Sequence, residues 1–130
     1  MFQTNTQTMY QVDAFTSVVF KGNPAAVLVL EDRLSDETML LIAQENYLAE
    51  TAFARSNGSS WDLRWFSPVH EVNFCGHATM ATAHVLFNAF GLRGPLVFNT
   101  RVGQLIVSRQ AETYALSIPA LVPEPLANKD

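Results

Sequence analysis

The sequence predicts an α+β domain in which a curved, mostly antiparallel, barrel-like sheet wraps around one buried helix. Three observations predict it. The elements run strands, helix, strands, helix, strands, not a regular βαβ alternation, which argues against a doubly wound sheet. The stretch 78–90 contains no Asp, Glu, Lys or Arg, and a helix without a charged face is buried on all sides. Hydrophobic residues make up 48% of the chain and charged residues 15%. That balance points to extensive buried surface, or to an apolar face covered by a second domain or a second copy.

The elements follow in order. Residues 1–9 are polar and are expected to be a flexible N-terminus. Tyr10 to Phe15 alternates and reads as a strand. Lys21-Gly22-Asn23-Pro24 is a turn, and the apolar run Ala25–Leu30 is a buried strand, too short for a helix. Ser35 is the expected N-cap of a helix ending near Asn46, with Asp36 and Glu37 where the helix dipole favours negative charge. Met39, Leu40, Ile42 and Ala43 form its apolar stripe. Thr51–Ala54 is a strand, Asn57-Gly58-Ser59-Ser60 a turn, and Trp61–Phe66 the returning strand of a hairpin. Ser67-Pro68 ends it, and Glu71–Phe74 is a short extended piece. The charge-free helix follows, with Gly91 as its C-terminal stop. Three more strands are expected at 95–100, 104–109 and 113–117. Residues 10–118 therefore form the domain, and 119–130, with Pro119, Pro123 and Pro125, read as a Pro-rich exit linker.

Composition narrows the function. The net charge is −4 and no Lys/Arg cluster appears, so nucleic acid is not an expected partner. No apolar stretch approaches the ~20 residues that span a bilayer, and no signal peptide is recognisable, so no membrane partner is expected. A single cysteine, Cys75, allows no internal disulfide, which fits a reducing, cytoplasmic setting. The three histidines and the isolated thiol lack a metal-ligand arrangement, so no metal is expected. Neither GxGxxG nor a P-loop occurs.

Four places can carry chemistry. The turn Phe74-Cys75-Gly76-His77 leads straight into the buried helix. Gly76 permits close backbone approach and unusual dihedrals. The free amides of the first helical turn suit an anion such as a substrate carboxylate, and His77 there can donate a hydrogen bond or move a proton. The same residues also fit an ordinary tight turn with His77 capping the helix. Glu50 sits among apolar neighbours in Tyr47–Phe53; desolvated, it suits general acid/base work, whereas at a strand edge it would simply face water. Cys75 beside a helix N-terminus is expected to have a lowered pKa, as a nucleophile or base would need, or it is a small buried hydrophobe. Asn23 can contact a ligand, or belongs to a plain turn.

Together these pieces resemble the PhzF family, the phenazine biosynthesis-like isomerases, kin to diaminopimelate epimerase and proline racemase. The resemblance runs through 12–16, Gly22-Asn23-Pro24-Ala25-Ala26-Val27, Leu48-Ala49-Glu50-Thr51-Ala52-Phe53, Arg64-Trp65-Phe66-Ser67-Pro68 with Glu71, and Phe74-Cys75-Gly76-His77-Ala78-Thr79. It implies a diaminopimelate epimerase-like half, one of two similar halves with the active site between them. It implies a cofactor-independent isomerase that moves a proton on a small carboxylate-bearing substrate. Glu50 would be the acid/base residue; Gly76, His77, Asn23 and Ala49 would bind substrate. Cys75 falls where thiol-dependent relatives carry a catalytic cysteine, but in PhzF-like proteins the glutamate takes over that work. Ala49 stands where the family usually has Ser, which removes one expected hydrogen bond to substrate. A second family domain has no counterpart in these residues. The alternative is a non-catalytic or truncated half-domain that dimerises through its apolar face.

Overall fold

The computed structural model describes residues 8–12, 24–47, 50–110 and 113–117. Among them, eight strands and two helices run in the order β1 (Met9–Val12), β2 (Ala25–Leu30), α1 (Asp36–Glu45), β3 (Glu50–Asn57), β4 (Ser60–Phe66), β5 (Glu71–Val72), α2 (Gly76–Asn88), β6 (Leu96–Thr100), β7 (Gly103–Gln110) and β8 (Thr113–Ser117). One sheet has the order β1-β2-β3-β4-β6-β7-β8, with β5 paired to β4 off that path. The β2–β3 and β4–β6 pairs are parallel and the others antiparallel. The expected mostly antiparallel sheet is therefore mixed at two places.

The sheet curls, and packing shows why. Residues from every strand along its path, from Tyr10 in β1 to Leu116 in β8, pack in one cluster with Ala78, Ala81, Val85 and Leu86 of α2. Seven strands at ~4.8 Å spacing would span roughly 30 Å laid flat, far wider than a ~10 Å helix. Only a curled sheet brings both its rims onto one helix. The small residues in the first half of α2 let the strands approach closely. Thr79 and Thr82, fully buried, satisfy their hydroxyls on the carbonyls of Cys75 and Ala78 four residues back.

The other helix covers the opposite face. Met39 and Ala43 of α1 pack on Leu28, Leu30, Phe53 and Phe66. Ser35 caps α1 as expected, accepting the Thr38 amide at 3.1 Å. The two faces follow from pairing register. Ala25, Val27, Ala52, Ala54, Leu63 and Trp65 lie on the α2 side, and alternate residues, including Phe53 and Phe66, lie on the α1 side.

Two boundaries differ from the sequence reading. α2 begins at Gly76 and ends at Asn88, two residues earlier at each end than the charge-free stretch. Gly91 does adopt a left-handed φ of 68°, but beyond an αR C-cap at Ala89. The last turn closes through Phe90 N–H to Val85 O and Leu92 N–H to Leu86 O.

Candidate active site

Glu50 is the first residue of β3 and pairs with Ala25. Side chains two apart on a strand share a face, so Glu50 lies on the same side as Ala52 and Ala54, toward α2. Its Oε1 is buried and has no hydrogen-bond partner among the described residues. Its charge is near enough to Cys75 to act on the thiol. The strand-edge, water-facing alternative for Glu50 thus does not hold.

Cys75 is the N-cap of α2, in extended conformation and without a side-chain cap hydrogen bond. The amides of the first turn remain outside the helix's own ladder there. Burial, above all, pushes the Cys75 thiol up to about 11; the Glu50 charge adds to this, and the nearby Ala78 and His77 amides oppose it without winning. The expectation of an acidified thiol is therefore overturned, because desolvation outweighs the helix end. The sulfur lies 3.6 Å from His77 Nδ1. His77 occupies the second helical position and so is not the cap.

Gly76 also departs from expectation. It is not among the glycines with positive φ, and a Cβ added there would meet the Phe74 ring at 3.8 Å, an ordinary contact. Its ordinary helical backbone demands no glycine. The Phe74 ring, 39% exposed, packs edge-on against Trp65 beside this turn. The structure therefore brings Glu50, Cys75, Gly76 and His77 to one end of α2. Asn23 and Ala49 lie outside the described residues.

Sequence reasoning missed two supports of this end. The Trp65 indole donates to Thr79 Oγ1 at 3.0 Å, fixing the helix tip to β4. A buried Trp needs a partner for its N–H, and the hydroxyl of Thr79 in this charge-free helix was the available signal. The second is an ion network. Arg64 makes two hydrogen bonds to Glu71, at 2.8 and 2.7 Å, and one to Asp36 at 2.9 Å, while Arg101 reaches Glu71 at 2.7 Å. It ties β4, β5, α1 and the β6–β7 turn together around the turn before α2. His84 is half-buried near the far end of α2. Its Nδ1 lies 2.9 Å from the Tyr114 hydroxyl, and burial, then Arg109, lowers its pKa.

A family model described as phenazine biosynthesis-like protein matches residues 12–128. An uncharacterised isomerase of Pseudomonas aeruginosa is 48% identical over 124 residues, covering 95% of this chain and 48% of that protein. A crystal structure of a PhzF family protein from Enterococcus faecalis superposes with a TM-score of 0.77 at 50% identity, covering 83% of this chain and 42% of that one. A predicted epimerase from Pseudomonas aeruginosa, 21% identical, shares the fold with a TM-score of 0.65 over 84% of this chain and 41% of that one. The chain spans about half the length of the relatives it matches. No helix among the described residues is long and apolar enough to cross a membrane. With the motif set, the curled sheet around α2 and these matches in agreement, the chain belongs to the phenazine biosynthesis-like, or PhzF, family.

Proposed function

We propose that this domain supplies the acid/base half of a cofactor-independent isomerase acting on a small carboxylate-bearing substrate. The observation that carries the reading is the Glu50 carboxylate: one oxygen is buried and has no hydrogen-bond partner among the described residues, on the sheet face that meets α2. A buried acceptor left unsatisfied is costly, and a site that accepts a substrate C–H proton is a use for it. The first-turn amides of α2 hold the substrate's carboxylate, with His77 beside them. Glu50 takes a proton from one carbon, the carboxyl exchanges it with water, and a proton is returned at another position as the bonding electrons shift. The proton count and the redox state are unchanged, so no oxidant or reductant is needed. Asn23 and Ala49 contribute to substrate binding. The high thiol pKa of Cys75 supports the glutamate rather than the thiol as base. The opposite wall of the pocket comes from a second domain or a second copy of the chain, in keeping with relatives about twice as long.

The test is solvent deuterium incorporation into candidate carboxylate substrates by the protein as its source makes it. Exchange is expected, and Glu50→Gln should slow it by roughly 10²–10⁴-fold, the usual contribution of a positioned acid/base group. Equal exchange in that variant would sink the assignment.

A further inference from the structure

Three of the chain's eight Lys and Arg side chains meet at one cavity away from Glu50. Arg33, Arg55 and Arg64 line a space of about 120 Å³ together with Asp62, over Leu30 and Phe53. This lies on the α1 side of the sheet, the face opposite Glu50. Leu30, Arg55 and Asp62 stand in one row across β2, β3 and β4, with Phe53 and Arg64 opposite each other in an adjacent row. Arg33 comes from the connection between β2 and α1.

Arg64 is already matched by Asp36 and Glu71. Arg55 is not. It stands directly across from Asp62, yet the ion pairs among the described residues do not include the two of them. Asp62 Oδ1 instead lies 3.3 Å from the Asn57 amide and 3.3 Å from the Asn99 amide. The Arg55 Nε is buried with no hydrogen-bond partner among the described residues. A guanidinium N–H withdrawn from water and given no acceptor is a costly arrangement unless something else supplies one. Arg33 and Arg55 against Asp62 leave one uncompensated positive charge in the wall.

We infer that this cavity binds a phosphate group. Guanidinium forks match the paired oxygens of phosphate. The Asp62 carboxylate, otherwise repulsive to an anion, accepts a hydrogen bond from the hydroxyl of a protonated phosphate. Sulfate carries no such proton at neutral pH, so the wall selects between two ions of similar shape. The space exceeds the ~30 Å³ of a single water. The site is separate from the proposed isomerase pocket and does not rest on it.

The experiment is calorimetric titration, alongside thermal melting, of the protein with inorganic phosphate, glycerol phosphate and sulfate. Binding by at least one of the two phosphates is expected, with a rise in melting temperature and with sulfate about tenfold weaker or worse. Arg55→Met and Arg33→Met should each weaken phosphate by about tenfold; Arg33 is exposed, so its variant tests the site even where Arg55→Met fails to fold. Tighter binding of glycerol phosphate would assign the site to a phosphorylated metabolite, and tighter binding of the inorganic ion to free phosphate; both outcomes support it. Binding of neither phosphate, unchanged affinity in Arg33→Met, or sulfate binding as well as phosphate would overturn it.

Discussion

The Trp65 indole donates to the Thr79 hydroxyl across 3.0 Å, and Thr79 donates onward to the Cys75 carbonyl across 2.9 Å. Sheet and helix tip are thereby joined by two consecutive hydrogen bonds in a fully buried setting. Thr79→Val keeps the shape but leaves the indole N–H without an acceptor. It should cost about 1–3 kcal/mol of stability, read as a lower urea midpoint with an unchanged slope. An unaltered midpoint would show that water reaches the indole.

Gly76 permits a separation of folding from binding. Because its backbone is ordinary and a Cβ would make only van der Waals contact with Phe74, Gly76→Ala should change stability by no more than about 0.5 kcal/mol. The added methyl sits where a substrate carboxylate would meet the first-turn amides. The expected result is therefore weakened substrate binding, a raised KM in steady-state assays, with melting unchanged.

Cys75 should be a slow thiol. Pushed up to about 11, it holds near pH 8 roughly a hundredfold less thiolate than an ordinary cysteine. Iodoacetamide labelling of the folded protein should lag behind the urea-unfolded chain by about that factor and accelerate as pH rises. Cys75→Ala should retain most of the exchange activity that Glu50→Gln loses.

Acid stability depends on Glu71. The Arg64 hydrogen bonds, then the charges of Arg64 and Arg101, hold its carboxyl below the usual range against partial burial. A carboxyl with a depressed folded-state pKa contributes stability that is fully present above its unfolded value, ~4.3, and is lost as pH falls through the folded value. Melting temperature should hold steady down to about pH 5 and fall below about pH 4. Glu71→Gln should flatten that fall and cost about 2 kcal/mol at neutral pH, measured by denaturant titration across the range.

Much of this architecture was legible in the sequence for local reasons. Ser35 with Asp36 and Glu37 marked the start of α1. Asn57-Gly58 marked the hairpin, where Gly58 indeed adopts φ 73°. The absence of charge in 78–90 marked α2 as interior. The parallel pairings of β2 with β3 and β4 with β6 left no such trace, because they join segments separated by a helix and depend on global closure. The thiol of Cys75 was misjudged because position beside a helix end is visible in sequence and depth of burial is not. The Arg64–Glu71 network was equally hidden: its partners Asp36 and Arg101 are 28 and 37 positions away from Arg64 along the chain. Glu50 was found by its apolar neighbours, and its facing direction became clear only from strand pairing.

That facing direction has an evolutionary consequence. Glu50 and Phe53 sit on opposite sides of β3 because an odd number of steps separates them. Removing a single residue between them would swing the carboxylate away from α2 if the hydrophobic pairing downstream were preserved. Descendants of this gene can exchange Thr51 or Ala52 for other side chains of suitable size. They cannot shorten or lengthen that three-position spacing by one and keep the acid aimed at the helix tip.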